Sequence, residues 1–111
     1  MNKLFILLIL AIVACSPKVV TFSNSDVERA SAKFPGSTLA TLTEGHNLCK
    51  KYCVSCHPYT APSARNEAKW NKILPKMVVN VNKKAHKQVI NSLQEASILA
   101  YLVTMTNAQK K

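Results

Sequence analysis

Cys53-Val54-Ser55-Cys56-His57 places two thiols three residues apart and follows them at once with an imidazole. On a helical turn this spacing can present both sulfurs to the two vinyl groups of one porphyrin edge, and the adjoining His then faces the iron. The His directly after the second Cys separates this pattern, the attachment signature of haem c, from a bare C-x-x-C. Other chemistry open to the same atoms fits less well. Zinc would draw on Cys49, Cys53, Cys56 and His57, which crowd together without the usual second knuckle. A redox-active dithiol of the thioredoxin kind needs a βαβ setting, and no strand pattern is present. Cys49-x3-Cys53-x2-Cys56 spells a radical iron–sulfur spacing, but on a chain far too short for that fold.

The elements that must position these residues are helical. Leu42, Gly45, Cys49 and Tyr52 recur on one helical face, with Ser37 or Thr38 able to cap its start. A short helix is predicted over Asp26–Lys33. A further helix is predicted from about Ser63 to Leu74, carrying Ala64, Ala68 and Trp70, with Pro75 ending or kinking it. The last helix starts at Asn91 or Ser92, has Gln94 and Glu95 in its first turn, and shows Ile98, Tyr101, Leu102 and Met105 on one face until about Asn107. With no Gly-rich phosphate loop, repeat or hairpin signal, the expected class is all-α.

The chain has 111 residues, 15 Lys and Arg against 5 Asp and Glu, and a formal charge of +10, which excludes a large multidomain enzyme and favours acidic partners. Lys3 precedes the unbroken apolar run Leu4–Ala14, the pattern of an export signal. That run is too short for the roughly 17–25 residues of a spanning helix. It ends Ile12-Val13-Ala14-Cys15, which resembles the lipobox of bacterial lipoproteins and implies that Cys15 is acylated. The organisation expected is a signal peptide over 1–14, a lipidated N-terminus and tether over 15–37, a domain over 38–108 and a basic tail over 109–111. The domain then lies outside the cytoplasm, facing the periplasm and anchored to a bacterial membrane.

Gly45-His46-Asn47-Leu48-Cys49 ahead of the motif and Ile98-Leu99-Ala100-Tyr101-Leu102 near the end resemble class I cytochrome c over roughly residues 38–108. The resemblance implies crossed N- and C-terminal helices around one covalent haem, with Gly45 against Ile98 and Cys49 near Tyr101. It implies thioethers at Cys53 and Cys56 and His57 as proximal ligand, its second nitrogen donating to a carbonyl near Ala61-Pro62. The stretch from Trp70 to Lys76 resembles the Trp-containing helix that leads to the ligand Met in small cytochromes, implying Met77 as distal ligand. His86 is its rival; Met105 reads as core, and His46 lies too close to the motif along the chain. Pro58 stands where Gly often follows the motif His, and Cys49 where an aromatic is usual. Cys49 reads as a small buried hydrophobe for which no disulfide partner stands out.

His/Met ligation implies a single-electron carrier rather than an enzyme. The alternatives are a haem subunit of a larger respiratory or reductase complex, and a haem enzyme or gas sensor with an exchangeable sixth ligand. Lys50, Lys51, Lys69, Lys72, Lys76, Lys83, Lys84 and Lys87 flank the motif and Met77. They would steer an acidic redox protein or respiratory complex to a monomeric carrier; the competing readings are a solvated helical face and contact with anionic lipid. Nucleic acid is not an expected partner outside the cytoplasm.

Overall fold

The computed structural model describes residues 21–108, and these form an all-helical domain. The export segment, Cys15 and the basic tail lie outside the described residues. Its helices are α1 (Asn24–Lys33), α2 (Leu39–Tyr52), α3 (Glu67–Ala85) and α4 (Ser92–Ala108), with short 3-10 turns at Cys53–Ser55 and Pro62–Ala64. None of the described helices is long and apolar enough to cross a membrane.

Capping explains where each helix begins. Ser23 and Asp26 form a reciprocal capping box on α1, and Thr38 and Thr41 do the same on α2. Asn91 and Gln94 exchange side-chain bonds with each other's backbone N–H at 2.9 and 2.8 Å at the start of α4. Between α1 and α2, Gly36 takes the left-handed region at φ 86, and Ser37 Oγ donates to the Phe34 carbonyl at 2.7 Å. The helix expected over Asp26–Lys33 is two residues longer at its start and is packed rather than solvated. Ala30 is fully buried, and Phe22 meets the rings of His46 and Tyr101 edge-on at 6.2 and 6.0 Å.

The third helix differs most from expectation. It starts at Glu67 instead of Ser63, because Pro62–Ala64 closes a 3-10 turn and Arg65 is extended, leaving Asn66 to cap from Oδ1 to the Lys69 N–H at 2.8 Å. It also continues through Pro75 to Ala85, so the proline does not end it. A proline here forfeits the bond to the Asn71 carbonyl and costs about 3 kcal/mol, but both residues are exposed, so water can serve that carbonyl. Trp70, Leu74, Val78 and Val81 continue one buried face across the proline. Val78 and Val81 alone recover roughly 1.5–3 kcal/mol each by burial, enough to carry the helix on. It closes in a Schellman motif: His86 is left-handed at φ 57, its N–H reaches Lys83 at 3.2 Å, and Lys87 N–H reaches Asn82 at 3.3 Å.

The fourth helix is the centre of the domain. Ile98, Ala100, Tyr101, Leu102, Val103, Thr104 and Thr106 are all buried, so the single apolar face expected there is replaced by burial nearly all round. It packs against α1, α2, α3 and the Pro62–Ala64 turn. It meets α2 at Gly45, where the atoms nearest to the position of a Cβ are the Ser97 carbonyl and the Tyr101 Cβ, which flank the expected Ile98 along α4.

Candidate functional site

The motif begins where α2 ends. Cys53 N–H still bonds the Cys49 carbonyl, and the chain then tightens, Cys56 N–H reaching the Cys53 carbonyl at 3.4 Å. Ser55 Oγ donates to the Tyr52 carbonyl at 2.6 Å, and the Lys84 ammonium of α3 donates to the Ser55 carbonyl. The motif turn is therefore held from both sides, by α2 through the chain and by α3 through a lysine.

His57 is half-buried, with Nδ1 2.7 Å from the Pro58 carbonyl oxygen. A carbonyl only accepts, so Nδ1 carries the hydrogen and Nε2 of the neutral ring keeps the lone pair a metal would use. The carbonyl expected near Ala61-Pro62 is otherwise engaged. Pro62 O accepts from Trp70 Nε1 at 2.9 Å and from Thr106 Oγ1 at 2.5 Å, which fills its two lone pairs.

A cleft of about 370 Å³ separates the motif loop from α3 and is lined by His57 and Thr60 on one side and by Trp70, Ile73 and Met77 on the other. The three α3 residues lie at i, i+3 and i+7, one helical face. Asn80 completes the lining with Arg65, Lys69 and Lys76, and the last three make it cationic. A second cavity of about 20 Å³ is lined by Cys49, Cys53, Tyr59, Thr60, Trp70, Met77 and Leu102. Thr60, Trp70 and Met77 belong to both, so the larger cleft and the smaller cavity meet at these three residues.

His57 and Met77 thus share one cleft and Cys53 lies at the adjoining cavity, whereas Cys56 is exposed, its sulfur 3.7 Å from Ser55 Oγ. Cys56 lines neither the cleft nor the small cavity. His86 is exposed at the far end of α3, roughly 13 Å of helix beyond Met77. Met105 packs half-buried at the margin of the core, and His46 stacks edge-on to Tyr101 at 5.2 Å. Among the described residues no three His, Cys, Asp or Glu side chains gather as a metal-holding group, so the four zinc candidates do not converge.

Several participants carried no sequence signal. Tyr59 OH lies 2.7 Å from Tyr101 OH and ties the loop after the motif to α4. Thr106 holds Trp70 and the Pro62 turn together, through 3.0 Å to Trp70 Nε1 and 3.1 Å to the Arg65 carbonyl. A larger, mostly apolar concavity of about 750 Å³ on α2, lined by Leu39, Thr43 and Leu48 among others, contains none of the motif residues.

The local electrostatics separate the thiols. The neighbouring Cys53 sulfur, reinforced by burial, pushes the Cys49 pKa far up, while the influence of Cys49 outweighs burial and brings Cys53 below its ordinary value. Cys49 thus has a thiol neighbour one helical turn on, where none stood out in the sequence. Burial, with the Tyr59 hydrogen bond, raises Tyr101 well above an ordinary phenol, and the charges of Tyr59 and Cys49 add to this. His46 is lowered by burial and then by the Lys50 charge.

A covalent haem suits this donor set: an imidazole with a free Nε2, a thioether sulfur in the same cleft, and two thiols on the adjoining turn. No protein-family model, curated protein or solved structure matches the chain.

Proposed function

We propose that this chain is a lipid-anchored, single-haem c-type cytochrome that passes one electron at a time between extracytoplasmic partners. Cys53 and Cys56 form the thioethers, His57 and Met77 are the axial ligands, and Cys15 carries the lipid. The observation that carries this reading is that His57 and Met77, twenty residues apart in sequence, line the same cleft beside the attachment turn. Bound there, haem supplies an iron that cycles between ferrous and ferric states. The protein supplies the rest. The Pro58 carbonyl fixes the His57 tautomer, and Trp70 and Ile73 give the cleft apolar walls. A thioether donor at Met77 favours ferrous iron and raises the reduction potential.

Arg65, Lys69 and Lys76 give the same cleft a positive field, which steers an acidic redox partner and makes association fall with salt. Expression with a cytochrome c maturation system, followed by an alkaline pyridine haemochrome spectrum and an intact mass, tests the reading. One retained haem with a c-type spectrum is expected; a colourless product, where a control cytochrome matures normally, overturns it. Met77→Ala should remove the sulfur-to-iron charge-transfer band and admit carbon monoxide to the ferrous protein. An unchanged spectrum removes Met77 from the ligand set.

A further inference from the structure

The segment from Phe22 to Phe34 is packed onto the domain instead of trailing from it. Val27, Ala30 and Phe34 stand at i, i+3 and i+7, on one face of α1 and its exit, and with Phe22 they pack into the core, Ala30 being fully buried. Ser31 Oγ donates to the Ser37 carbonyl at 3.1 Å, and the Lys33 ammonium pairs with Glu67 at the start of α3. Ten residues are too few for a helix to persist in water by itself, so α1 owes its form to this seat. Phe22 meets Tyr101 edge-on at 6.0 Å, and Tyr101 OH lies 2.7 Å from Tyr59 OH in the loop after the motif. The chain therefore enters the domain two side chains away from that loop.

The seat of α1 sets the length of any N-terminal anchor. Cys15 precedes Phe22 by seven residues, which span about 24 Å at full extension. With α1 off its seat the free length would run to Thr38, the cap of α2, over twenty-three residues and about 80 Å. We propose that α1 is a docked strap that shortens the lipid anchor and holds the motif-loop side of the domain close to the bilayer, fitting it to a membrane-resident electron partner with an acidic face near the headgroups. This rests on Cys15 carrying the lipid and on the electron-carrier reading. A short leash raises effective concentration only for a site held in the same membrane, and the gain falls roughly as the −3/2 power of leash length. A soluble partner gains nothing from it. Arg65, Lys69 and Lys76 in the cleft supply the charge that complements an acidic face.

The test uses the full chain, matured with haem and lipid, reduced, and held in vesicles that include a lipid with a ferrocenium headgroup. One electron passes from ferrous haem iron to ferrocenium, leaving ferric iron and ferrocene, and the loss of the ferrous absorption gives the rate. Inserting twenty Gly-Ser residues between Pro17 and Lys18 lengthens the leash with α1 untouched and should slow this step about sevenfold. Ala30→Glu puts a carboxylate into a fully buried contact, lifts α1 and should slow it about sixfold. Oxidation by a water-soluble ferrocenium salt in detergent should be the same for all three proteins. Either variant, if folded, that keeps the wild-type rate with the membrane oxidant overturns the strap, and so does equal slowing toward the soluble one. If circular dichroism shows that Ala30→Glu does not fold, the insertion decides alone. An intact mass without lipid overturns the anchor, and a colourless product overturns the electron-carrier reading, so each of these failures is told apart from a failure of the strap.

Discussion

Replacing Gly45 with alanine would put a methyl carbon 2.2 Å from the Ser97 carbonyl oxygen, 2.7 Å from Tyr101 Cβ and 2.8 Å from the Ser97 carbonyl carbon. Two of these three atoms are backbone of α4, so no rotamer change relieves them. Bringing the shortest contact even to 3.0 Å requires α2 and α4 to part by about 0.8 Å, in the middle of the main helix pair of the core. Overpacking of this kind costs about 3 kcal/mol, at the upper end of its usual range because the obstacle is main chain. Against this stands a gain of about 1 kcal/mol, since alanine is the better helix former and has fewer unfolded conformations to lose. The net expectation is a destabilisation of about 2 kcal/mol, or a melting temperature lower by roughly 8–16 °C for a domain this small. Thermal melts followed by far-ultraviolet circular dichroism read this directly. Gly36→Ala is the internal control: at φ 86 it meets nothing within 4 Å, so it carries backbone strain of about 1–2 kcal/mol without moving any helix. A Gly45→Ala chain melting at or above the wild type would show that helix propensity wins, and that α2 and α4 do not touch through their backbones there.

Pro75→Ala restores the N–H that α3 lacks on its exposed side; after the loss of proline's restriction on the unfolded chain, stability should rise by about 2 kcal/mol, read in urea unfolding. An unchanged midpoint would mean that α3 does not run through this position. Asn82→Ala removes one acceptor that serves Val89 and Ile90 N–H, both at 2.9 Å, and one donor to the Ile90 carbonyl at 3.1 Å. A loss of about 2–3 kcal/mol is expected, with faster amide exchange at Val89 and Ile90. The pH dependence should show two descending limbs. His46 has a lowered folded pKa, so its contribution is complete above the unfolded value of about 6.5 and is lost as pH falls below it. For Asp26, burial acts upward, but bonds from Ser23 and Arg29 outweigh it; the net lowering gives stability present above about 3.9 and lost as pH falls further. His46→Gln should flatten the first limb and leave the second, as read by melting temperature against pH.

How much of this was legible in the sequence follows from how local each determinant is. The start of α2 at Thr38 and of α4 beside Asn91 could be read because caps are bonds between neighbours in the chain. That His57 and Met77 line one cleft was not readable from either short string, because it depends on how α3 packs beside the motif loop. Nor were the start and length of α3. Asn66 wins over Ser63 because a proline turn precedes it, and the helix survives Pro75 because its buried face has partners on other elements, which periodicity within one segment does not reveal. Which atoms of α4 meet Gly45, the Ser97 carbonyl and the Tyr101 Cβ, likewise depends on how two distant helices settle together. Likewise, the Pro62 carbonyl was a reasonable partner for His57 until Trp70 and Thr106, residues far along the chain, filled it.

The places where local rules fail lie close to the cleft, and that pattern has physical content. Pro75 interrupts the bonding of α3 two residues before Met77, and Cys49 puts a thiol into the core of α2 one turn before the motif. Each is a poor choice for a helix considered by itself. Each also stands beside a residue whose position matters to the site. The fold tolerates them because α4 is buried nearly all round and anchors α1, α2, α3 and the Pro62 turn at once. A stable central helix lets the motif turn and α3 depart from local propensity without loss of the fold. On this reasoning Gly45, where α4 meets α2, governs the stability on which the cleft depends.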